Sequence, residues 1–137
     1  MQLNVFTDGG SRGNPGDAAI GGIVYAPEKK ILFELSKYIG VATNNEAEYT
    51  ALLTILEWVS QNKTGVDRVV CNLDSKLVVE QMNRKWKIKE PRMRDLATKC
   101  WDTVAKMGIE VVFVHVRREL NTAADLLVNQ ALDAQQL

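Results

Sequence analysis

A chain of 137 residues, 46% hydrophobic and 25% charged, has the mixture of an ordinary globular protein and the length to bury a core. That composition excludes a disordered chain. Seventeen basic residues balance seventeen acidic ones, which excludes binding of a polyanion by net charge; a nucleic acid would have to meet a local basic patch.

Leu3, Val5 and Phe6 alternate as a short strand that ends on Asp8, and Gly9 to Gly16 follows as a Gly- and Pro-punctuated loop. Two extended runs, Asp17 to Tyr25 and Lys30 to Val41, flank the turn Ala26-Pro27-Glu28-Lys29 and predict an antiparallel meander. Asn44 or Asn45 is expected to cap a helix reaching about Gln61. A buried-type strand, Arg68 to Leu73, leads into a short helix, Ser75 to Met82, and a basic connector, Arg84 to Lys89. Pro91 suits the first turn of a further helix ending near Met107-Gly108. Ile109 to Val116 is β-branched strand, and Asn121 to about Ala134 a last amphipathic helix. Strands alternating with helices call for parallel crossovers, so the fold class is α/β: a mixed five-stranded sheet with helices on its faces. One domain over residues 1–137 is expected.

Cys71 and Cys100 fall in apolar elements and read as reduced core residues. Met1-Gln2-Leu3-Asn4 lacks the basic and apolar segments of a leader, and no apolar run nears the roughly 20 residues that span a bilayer. The expected setting is the cytoplasm, with no membrane partner.

Four carboxylates carry the chemistry. Asp8 and Asp74 each end an apolar strand, where ligands of open α/β sheets sit; if the two strands are parallel neighbours, the acids lie side by side. The bland alternatives are a turn residue at Asp8 and a helix N-cap at Asp74. Glu48 heads the stripe Glu48, Leu52, Ile55, Val59, so it is an acid at the top of a core-facing face, whereas Glu46 falls on the solvated side. Asp125 lies near the start of the last helix behind an Asn121 cap, where the helix dipole alone would favour it. Hard oxygen ligands without a histidine suit Mg²⁺ or Mn²⁺ rather than zinc, and clustered like charges themselves call for a cation.

These segments together resemble type 1 ribonuclease H over nearly the whole chain: Thr7 to Gly16, Thr43-Asn44-Asn45-Glu46-Ala47-Glu48, Leu73-Asp74-Ser75 and Asn121 to Asp125. The resemblance implies the ribonuclease-H-like fold with strand order 3-2-1-4-5 and endonucleolytic hydrolysis of the RNA strand of RNA–DNA hybrids. It implies that Asp8 bridges two Mg²⁺ ions, that Glu48 and Asp74 hold the one on the leaving-group side, and that Asp125 helps hold the other, with Mn²⁺ as the alternative ion. Products would carry 5′-phosphate and 3′-hydroxyl ends. It further implies minor-groove contacts from Asn14, Asn44 and Asn45, a DNA-phosphate contact from Thr43, and 2′-hydroxyl contacts from Gly9, Gly10, Ser11 and Glu48. Lys76 and Arg118 complete the expected substrate contacts of a monomeric enzyme.

Two departures separate this chain from many members. The connector Val116 to Leu120 is short and holds no histidine; the sole histidine, His115, falls inside the last strand and reads as structural, leaving Arg118 or Glu119 as a partial substitute. The basic handle is reduced to Arg84-Lys85-Trp86-Lys87-Ile88-Lys89, with Arg92 and Arg94 following. It reads either as a DNA-backbone contact or as a solvated connector with Trp86 packed on the body. Both departures resemble the archaeal and plant-like branch. A broader nuclease that also cuts double-stranded RNA, and a catalytically silent nucleic-acid-binding module, remain as alternative readings.

Overall fold

In the computed structural model, which describes residues 1–136, five strands line up in the order β3-β2-β1-β4-β5. β1 (Gln2–Gly13), β2 (Gly16–Ala26) and β3 (Lys30–Ala42) form the antiparallel meander. β4 (Arg68–Leu73) pairs parallel with β1, and β5 (Glu110–His115) parallel with β4. The crossovers are made by α1 (Asn44–Gln61), then by α2 (Lys76–Met82) with α3 (Pro91–Met107); α4 (Thr122–Gln135) closes the chain. The mixed α/β sheet and its order are those expected.

The main core lies between the sheet and α1, α2 and α3. Leu52, Ile55 and Val59, the apolar part of the predicted stripe, are fully buried there with Leu3, Val5, Val69 and Cys71. Both cysteines are free and buried, and burial pushes the Cys100 thiol up to about 12 and the Cys71 thiol higher still. α4 sits differently. It contributes to a separate, much smaller apolar cluster of Ala19, Val128 and Leu132.

The stretch expected as a loop, Gly9 to Gly13, is strand. Asp8 pairs with Gly21, Gly9 with Ile20 and Gly10 with Ala19, and the chain turns only at Asn14-Pro15. Its glycines serve close packing. A Cβ on Gly9 would lie 2.3 Å from the Ala47 carbonyl carbon, so only glycine lets the first turn of α1 rest on β1 backbone. On the opposite face, a Cβ on Gly21 would lie 2.5 Å from the Ala124 carbonyl oxygen of α4. At these two points the helices that carry Glu48 and Asp125 meet the sheet backbone to backbone.

The caps also differ from expectation. Thr43, not Asn44 or Asn45, caps α1: its hydroxyl accepts from the Glu46 N–H while Glu46 accepts from the Thr43 N–H, a reciprocal capping box. Glu46 is therefore not a solvated bystander, and it also pairs with Arg92 at 2.6 Å. Ser75 caps α2, which leaves the Asp74 carboxylate unused by the helix. Asn121 occupies the N-cap position of α4 without a capping bond, its side chain being spent on Thr7 instead.

Gly9→Ala is expected to destabilise the protein by roughly 2–4 kcal/mol, because neither backbone can give way. Gly10→Ala, whose methyl would meet nothing nearer than 3.8 Å, should stay within about 0.5 kcal/mol. Urea unfolding of the two variants checks both values.

Candidate active site

Asp8 and Asp74 reach the same end of the sheet because β1 and β4 run parallel in register, Thr7 beside Leu73. Each acid is the next residue along, or just past, its strand. Glu48 arrives from α1 because the Gly9–Ala47 contact seats that turn against β1. Carboxylate oxygens of Asp8, Glu48 and Asp74 all lie within 4.8 Å of one another. Asp125 falls outside that distance set but lines the same cleft of about 440 Å³. Gly9, Gly10, Ser11, Asn44, Asn45 and Arg118 line it as well.

Three other expected contacts lie apart from the cleft wall. Asn14 stands behind it, its Oδ1 accepting the Asn44 N–H at 3.0 Å. Thr43 is engaged in the α1 cap, and Lys76 is exposed on the first turn of α2. Glu119 pairs with Arg117 at 3.6 Å and is not part of the wall, so of the two substitutes weighed for a histidine only Arg118 reaches the cleft. His115 is exposed at the end of β5, opposite Leu73, rather than packed inside a strand. Arg12, Ser75 and Asn129 also line the cleft without having been expected as site residues; Arg12 and Ser75 fall inside the segments Thr7 to Gly16 and Leu73-Asp74-Ser75 but have no role assigned there, and Asn129 lies outside every such segment.

The acids are electrostatically strained. Burial pushes the Asp8 carboxyl up to about 7, a hydrogen bond with Glu48 opposing the shift and the charges of Asp74 and Asp125 adding to it. Glu48 is held well above the usual carboxylate range, first by burial and then by the Asp8 charge, against a lowering contact from the Gly9 N–H. Its Oε2 is buried with no hydrogen-bond partner among the described residues. A buried, unpartnered carboxylate oxygen inside an acidic cluster is costly unless a cation completes it. The donor set therefore fits a hard divalent ion, with Asp8, Glu48 and Asp74 as ligands within reach of one another.

The cleft's rim is rich in hydrogen-bond donors. Ser11 gives both its N–H and its hydroxyl to Asn44 Oδ1, at 2.9 and 3.1 Å. With Oδ1 so occupied, the Asn44 NH₂ makes no hydrogen bond among the described residues. The basic connector lies elsewhere and is firmly held. Gln81, buried, donates to the Lys87 carbonyl and accepts from the Tyr49 hydroxyl, while Arg94 donates to the Ile88 carbonyl. Trp86 stays 45% exposed, and Arg84 lies over the Trp101 ring at 4.0 Å.

The family described as reverse transcriptase-like matches residues 6–131. The bifunctional protein Rv2228c of Mycobacterium tuberculosis is 41% identical over 98% of this chain, which spans only 36% of that relative's length. Ribonuclease HI of Halobacterium salinarum is 36% identical over 96% of this chain and 65% of its own. Among solved structures, LC11-RNase H1 in complex with an RNA/DNA hybrid superposes with a TM-score of 0.93 at 39% identity, covering 98% of this chain and 99% of that one. This chain belongs to the reverse transcriptase-like family, in its type 1 ribonuclease H branch, with archaeal-like relatives.

A carboxyl whose pKa is raised by folding, as Asp8 is from 3.8 to about 7, favours the folded state while protonated. That contribution is complete below pH 4 and is lost as pH rises through 7. In chelator, Asp8→Asn should therefore gain on the wild type between pH 4 and 8 by at least about 1 kcal/mol, one pKa unit being worth ~1.4 kcal/mol. Adding Mn²⁺ at pH 8 should raise the wild-type unfolding midpoint and leave the variant's nearly unmoved. Parallel midpoints at every pH, with equal responses to Mn²⁺, would refute a strained cation site.

Proposed function

We propose that this chain is an endonuclease that hydrolyses the RNA strand of RNA–DNA hybrids, leaving 5′-phosphate and 3′-hydroxyl ends. The observation that carries the reading is the convergence of Asp8, Glu48 and Asp74 around an unpartnered buried oxygen. Its membership of a branch with a hybrid-bound relative supports the choice of substrate.

Asp8, Glu48, Asp74 and Asp125 would hold two Mg²⁺ ions, with Mn²⁺ as the substitute. When bound, such ions supply activation of water and stabilisation of charge developing on the phosphate and its leaving 3′ oxygen. The protein's own part is placement. Asp8 and Glu48, short of counter-charge inside a partly dry cleft, keep the site from closing over apolar groups. The Asn44 NH₂, fixed by Ser11, and the amide of Asn45 face acceptors in the wide minor groove, with Asn14 bracing Asn44 from behind. Backbone groups of Gly9 to Ser11 meet 2′-hydroxyls, which is how RNA is told from DNA. Thr43, at the α1 N-terminus, meets a DNA phosphate. Arg118 reaches the cleft from the turn before α4 and offers its cation to the phosphate under attack. Lys76 adds longer-range attraction. Lys85, Trp86 and Lys87 meet the DNA backbone further along by charge and stacking. The working unit is a single monomeric domain.

Asp8→Asn, Glu48→Gln and Asp74→Asn should each cut the cleavage rate of a labelled hybrid by at least about 100-fold, since the lost charge stabilisation is worth several kcal/mol. Cleavage of double-stranded RNA by the wild type would widen the substrate class. Retained hybrid binding with no cutting in either Mg²⁺ or Mn²⁺ would overturn the assignment in favour of a binding module. Replacing Lys85 and Lys87 together by alanine should raise the Michaelis constant several-fold at low salt and flatten its salt dependence. A Michaelis constant indifferent to salt in the wild type would exclude a role for the connector.

A further inference from the structure

Among the acids of the cleft, Asp125 alone stands on an element that the main core does not hold. α4 rests on the sheet through the small cluster of Ala19, Val128 and Leu132, through its backbone against Gly21, and through the Ser36 hydroxyl of β3, which donates to the Leu127 carbonyl at 2.6 Å and holds the middle of the helix. Such a shallow seat fixes the distance of a helix from a sheet far better than its rotation or slide along it. Polar ties supply what the seat lacks, and they bracket Asp125. One turn before it, buried Asn121 donates to the Thr7 carbonyl at 2.9 Å, one residue from Asp8. One turn after it, Asn129 donates to the Asp125 carbonyl at 3.1 Å and accepts from Arg12 at 3.3 Å.

Arg12 is the outer anchor. It lies on β1 four residues beyond Asp8, hence on the same sheet face. Its guanidinium also donates to Asp133 at 2.7 Å and to Gln136 at 2.8 Å. One rigid five-donor group on β1 thus spans the last turns of α4, along the stripe Asp125, Asn129, Asp133, Gln136. A lone exposed ion pair would carry little weight. Three contacts from one planar fork, one of them relayed to the Asp125 backbone, set a register.

We propose that Arg12 is a positioning residue for Asp125: with Asn129 and Asp133 it locks the rotation and slide of α4 on β1, so that the Asp125 carboxylate is presented to the cluster of Asp8, Glu48 and Asp74. The inference rests on the reading of Asp125 as a working acid of the cleft. Because Arg12 also lines the cleft, the competing role is direct contact with a substrate phosphate. Asp133 separates the two, since it belongs to the clamp and not to the cleft wall.

The test measures kcat and KM on a labelled hybrid for Arg12→Ala, Arg12→Lys, Asp133→Asn, Asp125→Asn and the Arg12→Ala/Asp125→Asn double variant, with amide hydrogen exchange along α4. A misplacement of about 1 Å can cost up to about 100-fold. We expect Arg12→Ala to lower kcat about tenfold and Asp133→Asn about threefold, both with KM within about twofold. Arg12→Lys should fall between wild type and Arg12→Ala, because an ammonium replaces the contact to Asp133 but not the fork. In the Asp125→Asn background, Arg12→Ala should cost less than about twofold more. Exchange of the last α4 amides should quicken in Arg12→Ala and Asp133→Asn alike. The proposal is overturned if Asp133→Asn keeps wild-type kcat and exchange, if Arg12→Ala acts on KM, or if its effect multiplies fully with Asp125→Asn. Full activity in Asp125→Asn alone would instead remove the reading of Asp125 on which the proposal stands.

Discussion

The structure depends on keeping carboxylates together that repel one another. Asp8, Glu48 and Asp74 bring their oxygens within 4.8 Å, and the first two are largely out of water. Left to itself, such a cluster would spread or protonate: burial first, and neighbouring carboxylate charge after it, push Asp8 and Glu48 above the usual carboxylate range. Stiffness elsewhere prevents the spreading. Parallel pairing of β1 with β4 fixes Asp8 against Asp74, and the bare backbone of Gly9 seats the first turn of α1.

The same contact explains why the start of α1 is so heavily tied. Thr43 and Glu46 close the capping box, Glu46 reaches Arg92 on α3, and Asn44 is gripped by Ser11 and Asn14 from the β1–β2 hairpin. A helix entrance held on three sides cannot yield to the repulsion felt by Glu48 one turn later. The amides held this way are also those that edge the cleft. Structural restraint of α1 and the shape of the cleft's edge therefore use the same hydrogen bonds.

α4 is the contrast. It brings an acid to the cleft on a helix with little apolar anchorage, and polar ties to the Thr7 carbonyl and the Arg12 guanidinium of β1 and to the Ser36 hydroxyl of β3 help to set its register. The partition follows from where the chain can afford burial. The α1 face of the sheet is covered by a deep core, while the α4 face is left open near the acids as the cleft.

Much of this was legible in the sequence. The periodicities placed five strands and four helices, all but the end of β1 close to their observed bounds, and the stripe from Glu48 to Val59 singled out an acid on a core-facing helix face. Local chemistry dominates there, because each pattern is set by residues within one element. The misreadings fell where distant backbone decides. Gly9 to Gly13 carried a loop's composition yet forms strand, since those glycines answer to α1 and α4 rather than to a turn. Thr43 and Ser75 took the caps assigned to neighbouring Asn and Asp residues, freeing Asp74 for the cleft and Asn44 for Ser11. Arg12 sits inside the Thr7–Gly16 segment, yet nothing local showed its role, because its partners lie more than a hundred residues away. The sequence by itself determined the succession of strands and helices and which acids stand at strand ends and helix starts, because hydrophobic period is local. Only the tertiary structure decided which acids touch, which amides edge the cleft and what holds α4, because those outcomes rest on backbone approach across the sheet.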